Sequence, residues 1–449
     1  IYTFVIETQF GTRGVDKFPA RPTLGPGSVR RVNSGDSTTC TSTTPPSAPA
    51  RCEERLLLMD ARYTRTDFHD GISRYGSSLI DAVVRRAARR EGAVRFRVEM
   101  LIHDERQLAL LPAGVPWHRV GAPTSVAEPL VARRVNALAP DVVFSPMQTM
   151  GSFGRCYGLI LTLHDLIYYQ HRTPPQNLPL PVRLLWRLYH LGYGPQRLLL
   201  NRADRVATVS ETTAALIRRH RLTRRPVDVV SNAPQAVQAP RDPDRAPDKS
   251  LVYMGSFMEY KGVDDLVAAV PLLPGYTLHL LSTITPGRRA ELEQALDAAR
   301  RREGACGGTV VFHGGVSDER YVELLRSATA LVTLSRAEGF GLPLAEAMSH
   351  GTPVVATDLP IFHEIGGDDG AYLPVDVAEA PATALAAAVR RLERPDAFAA
   401  ASRAAARQAE RFTWDASADR LLDAAEAVLQ ARRSVPEQCP PAATTPTAP

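Results

Sequence analysis

The sequence predicts an α/β protein of two doubly wound domains facing a central cleft, and three observations predict it. The 449 residues, 44% of them hydrophobic, are too many for one ordinary core. Short apolar runs alternate with amphipathic stretches, which is the pattern of βαβ units around parallel sheets. The pattern breaks at a Pro- and Asp-rich stretch and restarts at once, so residues 238–249 read as an interdomain linker.

Residues 1–54 are rich in Pro, Ser, Thr and Gly without periodicity and read as a disordered leader. The run 56–59 is a first buried strand, and Ile72, Tyr75, Leu79, Ile80, Val83 and Val84 follow at helical spacing. Further strands are expected at 98–102, 142–144, 159–163 and 205–209, the last leading into a helix that Ser210 can cap. These make an N-terminal domain over 55–237. Beyond the linker, strands at 251–254, 277–281, 309–312, 330–334 and 354–357 make a second domain over 250–415. A helix over 416–433 follows, then a tail, 434–449, with the leader's composition. In such domains a ligand belongs in the crevice outside the carboxyl ends of the strands.

Lys+Arg 53 against Asp+Glu 48 gives a charge of +5, too weak and diffuse for nucleic-acid binding. Two basic runs stand out: Arg85, Arg86, Arg89 and Arg90, then Arg218, Arg219, Arg221, Arg224 and Arg225. Solvated helix ends are the first reading of both, and peripheral contact with an anionic membrane is the second. Five widely spaced cysteines, without a Cys-x-x-Cys pair or clustered histidines, indicate neither a disulfide framework nor a metal site. No apolar stretch approaches the ~20 residues that span a bilayer. No basic segment followed by an apolar one opens the chain, so no signal peptide is expected. The expected compartment is a reducing cytoplasm, at the inner membrane face if the basic runs engage it.

Chemistry concentrates in residues 335–353. A strand ends before them, a glycine-bearing loop crosses them, and Pro343 suits the start of a short helix that Gly351 and Pro353 end. The backbone N–H groups of Phe340, Gly341 and Leu342, with Gly339 before them, would point out of that helix's N-terminus, an anion site fit for a diphosphate. Glu338, repelled by such an anion, should turn toward sugar hydroxyls. Glu346, expected in the first helical turn, can accept from the paired hydroxyls of a ribose. A bland turn at the glycines, with Glu346 serving only the dipole, is the alternative.

After the strand at 251–254 come Gly255, Ser256 and Lys261, one of three lysines in the chain. A point charge there can neutralise a leaving diphosphate, though a lysine in a loop is more often just solvated. His164 and Asp165 end the strand at 159–163, where the histidine either meets a sugar or is a core histidine tied to backbone. Gly71 opens the first helix and permits close approach of a ligand. Neither a P-loop nor a Gly-x-Gly-x-x-Gly fingerprint is present.

Together these residues resemble the retaining glycosyltransferases of GT-B family four, across about 55–433. Glu338 through Glu346 match that family's Glu, seven residues, Glu pattern within Glu-Gly-Phe-Gly-Leu-Pro. The resemblance implies two Rossmann-like domains facing a cleft. It implies that Glu338 contacts the transferred sugar, Glu346 the ribose and Lys261 the diphosphate, with His164 across the cleft and the last helix returning to the first domain. Ser256 stands where the family usually has an arginine.

The reading is metal-independent, cofactor-free transfer of a hexose from a nucleotide sugar, of GDP-mannose or UDP-glucose type, to a saccharide or lipid-linked acceptor. The rivals are a phosphorylase of the same fold and a non-catalytic nucleotide-sugar-binding subunit.

Overall fold

The computed structural model describes residues 53–66, 70–92, 94–174, 179–303 and 307–433; the rest of the expected leader and the tail lie outside the described residues. Glu53 and Glu54, expected in the leader, already belong to the first strand.

The first sheet has seven parallel strands in the order β3-β2-β1-β4-β5-β6-β7. They are β1 (Glu53–Asp60), β2 (Val94–Ile102), β3 (Trp117–Arg119), β4 (Val142–Ser145), β5 (Gly158–Leu163), β6 (Arg205–Thr208) and β7 (Val227–Val229). The second has six, in the order β10-β9-β8-β11-β12-β13. They are β8 (Asp248–Tyr253), β9 (Thr277–Leu280), β10 (Thr309–Phe312), β11 (Ala328–Thr333), β12 (Val354–Thr357) and β13 (Tyr372–Val375). Every residue of β5, β11 and β12 is buried, because helices cover both faces of a parallel sheet.

Three strands escape the sequence reading, and all are short edges. Trp117-His-Arg119 and Val227-Asp-Val229 carry too little apolar character, and Pro374 interrupts the run of β13, as an edge permits.

Six helices bear on function: α1 (Gly71–Arg89), α2 (Leu180–Tyr189), α3 (Gly194–Leu200), α4 (Glu211–Arg219), α5 (Leu342–Ser349) and α6 (Trp414–Arg433). Asp70 caps α1, its carboxylate accepting from the Ser73 N–H at 2.8 Å. Ser210 caps α4 as expected, accepting from the Thr213 N–H at 3.1 Å.

Helix α6 returns to the first domain, burying Leu421, Leu422, Ala425 and Val428. Arg86 forms a two-pronged pair with Asp419 at 2.9 and 2.8 Å, Arg90 reaches Asp423 at 2.6 Å and Arg85 reaches Asp415 at 3.0 Å. The first basic run therefore tethers the terminal helix, and these three arginines are committed within the chain.

The linker is more ordered than its composition suggests. Its Asp248 and Lys249 open β8. Arg241 is buried, donates to the Ala328 carbonyl at 2.6 Å and lies 4.7 Å over the Phe398 ring. Burial pushes its pKa down to about 10.

Cys156 is disulfide-bonded, contrary to expectation; the other four cysteines lie outside the described residues. Spacing along a chain does not report spatial proximity, which is what a disulfide requires. Among the described residues no helix is long and apolar enough to cross a membrane.

Candidate active site

The two sheets turn their carboxyl ends toward each other, and the loops leaving them touch. Ser210 donates to the Gly339 carbonyl at 2.9 Å. Glu364 accepts from the N–H groups of Glu211 and Thr212, both at 2.8 Å, and from the Thr212 hydroxyl at 2.6 Å. A carboxylate of one domain thus caps the N-terminus of a helix in the other.

Gly339 lies against the opposite wall. A Cβ there would sit 2.8 Å from the His164 carbonyl oxygen and 3.0 Å from Asp165 Cβ, so any side chain would push the domains apart. Gly341 adopts φ +84° as the cap of α5, and an added Cβ would meet Phe362 at 3.1 Å. Phe340 is buried with its ring edge-on to Phe412, 5.6 Å between centroids, so only its backbone faces the cleft. Pro343 and Gly351 stand where expected, inside the start and past the end of the helix.

Glu346 corrects one expectation. No acidic residue occupies the first turn of α5, which begins at Leu342, so Glu346 falls in the second turn and does little for the dipole. Its carboxylate instead accepts from the Tyr321 hydroxyl at 3.0 Å and pairs with Arg74 of the first domain at 3.4 Å. Burial pushes its pKa up, and Arg74 and Tyr321 pull it back only in part.

Lys261 and Glu338 form an ion pair with each other. Burial works against the ammonium, but Glu338, Tyr253 and Asp165 outweigh it and hold the lysine pKa above its ordinary value. Lys261 is therefore no solvated loop lysine. Tyr260 beside it stacks on His171 across the cleft, ring centroids 5.2 Å apart. Burial also raises the Asp165 pKa; the Ile167 N–H and Lys261 act against the rise, while Glu338 adds to it.

At Gly255 the backbone N–H donates to the Ser282 hydroxyl at 3.1 Å, and the Ser256 carbonyl accepts from the Tyr253 hydroxyl at 2.6 Å. These bonds fix the loop without supplying the missing arginine's charge. Gly71 is the first residue of α1 with nothing within 4 Å of an added Cβ, so space alone does not require glycine there.

His164 is hydrogen-bonded to backbone, its Nε2 lying 2.7 Å from the Pro146 carbonyl, and the Tyr75 ring packs edge-on at 5.0 Å. A carbonyl only accepts, so Nε2 carries the proton and Nδ1 presents a lone pair. Burial drives its pKa down to about 4, as it does for His190, which hydrogen-bonds the Trp186 carbonyl at 2.8 Å.

A depressed histidine pKa contributes stability that is present above pH 6.5 and lost as pH falls toward 4. For the fully buried His190, this loss is expected to reach about 2 kcal/mol. Urea unfolding midpoints at pH 7 and pH 4.5 should converge in His190→Gln relative to the parent chain, and unchanged pH dependence would contradict this account.

Sequence reasoning missed Arg74, Tyr321 and Glu364 as parts of this cleft. Arg74 lay within a loop already of interest, four residues after its capping Asp70; Tyr321 and Glu364 sit in ordinary amphipathic segments and carry no local signal.

Two parallel α/β domains joined at the carboxyl ends of their strands, with a helix N-terminus and a half-buried lysine between them, are the GT-B architecture. Residues 248–394 match the family model described as glycosyl transferases group 1, and 78–233 match that of glycosyltransferase family 4. The chain belongs to this family, and the unmatched gap between the two models falls at the expected linker.

The phosphatidyl-myo-inositol mannosyltransferase of Mycolicibacterium smegmatis is 31% identical over 208 residues, 45% of this chain and 50% of that protein. The O-antigen chain mannosyltransferase B of Escherichia coli is 32% identical over 176 residues, 38% of this chain and 44% of that protein. The chain thus matches about half the length of these curated relatives. Among solved structures, the sucrose-phosphate synthase of Thermosynechococcus elongatus aligns with a TM-score of 0.62 at 18% identity, over 84% of this chain and 100% of that one. The Anabaena protein HepE, solved with UDP and glucose, gives 0.57 at 18%, over 83% and 99%. At these identities the structural likeness establishes the fold.

Proposed function

We propose that the chain transfers a hexose, with retained anomeric configuration, from a nucleotide-diphosphate sugar of GDP-mannose or UDP-glucose type to a saccharide or lipid-linked acceptor. The observation that carries this is the half-buried Lys261–Glu338 pair beside the Gly341-capped helix N-terminus. The named mannosyltransferase relatives support the class of reaction.

A bound diphosphate would take the Lys261 ammonium and the N–H groups of Phe340, Gly341 and Leu342, releasing Glu338 toward the sugar hydroxyls. Glu346 would give up Arg74 for the paired ribose hydroxyls. The neutral His164 would accept from a sugar hydroxyl through Nδ1. The anomeric C–O bond breaks with its electron pair leaving on the diphosphate, and an acceptor hydroxyl attacks the same face as its proton passes to the departing phosphate oxygen. Fixed donors and Lys261 serve the leaving group in place of a metal ion or other cofactor.

The test is a thermal-shift screen against GDP-, UDP-, dTDP- and ADP-sugars. The cognate donor at a hundredfold excess over its Kd should stabilise the fold by about 2.7 kcal/mol. Glu346→Ala should lose most of that shift, whereas Glu338→Ala should keep the shift from the bare nucleoside diphosphate and lose transfer. Absence of any shift with all four donors would overturn the reading.

A further inference from the structure

Helices α2 and α3 present leucines where an exposed helix ordinarily carries charge. The inner face of α2 is anchored by Trp186, which is fully buried, edge-on to Tyr168 at 5.3 Å and 4.0 Å from the His190 ring. On the outer face Leu180, Leu184, Leu188 and Leu191 recur at spacings of four, four and three, each more than half exposed, with Leu185 and Leu198 beside them. So continuous an exposed apolar stripe marks an interaction surface.

Arginines surround the stripe. Arg183, Arg187, Arg197 and Arg202 lie on or beside the two helices. Helix α3 packs on the end of α4: Arg197 donates to the His220 carbonyl at 2.9 Å, Tyr193 and His220 rings lie 4.5 Å apart, and the Arg224 N–H donates to Asn201 at 2.9 Å. The second basic run, Arg218 to Arg225, therefore adjoins the leucine face. Across 171–203 and 212–227 there are ten arginines and no aspartate or glutamate.

We propose that this face docks on an anionic lipid bilayer, its leucines entering the headgroup boundary and its arginines meeting lipid phosphates. A second copy of the chain is the poorer occupant, since apposing two such faces would crowd ten arginines from each together, with Glu211, 3.8 Å from Arg218, already paired within its own helix. The turn Ile167–Gln170, whose Tyr168 packs on Trp186 of the face, begins two residues after Asp165, and His171 stacks on Tyr260 beside Lys261. A docked bilayer would thus lie along the cleft mouth, where a lipid-linked acceptor presents itself. The proposal deepens that part of the functional reading and rests on it for its purpose, while the binding itself is measured without turnover.

The test is co-sedimentation of the full chain with vesicles of phosphatidylcholine alone and of phosphatidylcholine with about 30% phosphatidylglycerol. Binding is expected to the anionic vesicles only and should weaken at roughly 0.5 M NaCl. The exposed double variant Leu184→Ser/Leu188→Ser should reduce it at least about tenfold with an unchanged circular dichroism spectrum, and Arg218→Glu/Arg219→Glu should do the same. Absence of vesicle binding, equal binding to neutral vesicles, or full binding by the leucine variant would overturn the proposal. So would a dimer in sedimentation velocity that the leucine variant abolishes. Donor-induced thermal stabilisation measured alongside keeps the two claims apart: if it persists without vesicle binding, docking alone fails; if it is absent while vesicle binding holds, the transferase reading fails.

Discussion

Replacing Lys261 by alanine is expected to lower sugar transfer about 10²–10³-fold, the range seen when one preorganised charge is removed from a developing anion. The side chain is largely shielded from solvent and held by Glu338, so its position costs no reorganisation when the leaving group departs. The variant also strands the Glu338 carboxylate, which lowers stability. Lys261→Ala/Glu338→Ala should therefore unfold at a higher temperature than Lys261→Ala alone, while transferring no faster. Single-turnover rates with saturating donor separate the chemical effect from weakened binding. A rate within threefold of the parent would reduce the pair to a structural tie.

Arg62→Ala is expected to cost about 3–5 kcal/mol of stability, the largest single effect on the fold. The Arg62 side chain is inaccessible to solvent and sits between two carboxylates at the end of β1. It donates to Asp60 at 2.8 and 3.0 Å, to Glu128 at 2.7 and 2.9 Å and to the Gly121 carbonyl at 3.1 Å. Ser145 and the Gly151 N–H bond the same carboxylates at 3.0 and 3.1 Å. Removing the guanidinium leaves two buried carboxylates facing each other. The loss should appear as a lower urea midpoint with an unchanged m-value. Adding Asp60→Asn and Glu128→Gln should recover part of it; a loss below about 1 kcal/mol would show that the network contributes little net stability.

Parallel strands write themselves into sequence as unbroken apolar runs, even at an edge such as β10, which is why ten of the thirteen described strands were legible while β3, β7 and β13 were not. The Glu338 to Glu346 segment was legible for a related reason, since a strand end, two glycines and an early proline leave few local conformations. What could not be read was partnership. Lys261 with Glu338, and Glu346 with Arg74 and Tyr321, are pairings between residues far apart in the chain, fixed by the closing of one domain on the other. The turn occupied by Glu346 was misjudged by one, because the helix begins at Leu342, one residue before Pro343.

The chain crosses between the lobes twice, once through the segment 234–247 and again where Phe412 leads into α6. A single tether would let one lobe swivel freely about the other. Two tethers, one of them pinned by Arg241 against Phe398 and the other by Ser417 against the Ser231 carbonyl at 2.8 Å, define an axis. Rocking about such an axis would open the cleft without letting one lobe slide past the other. A cleft that opened in this way would reclose with Gly339 against His164, its two halves already aligned.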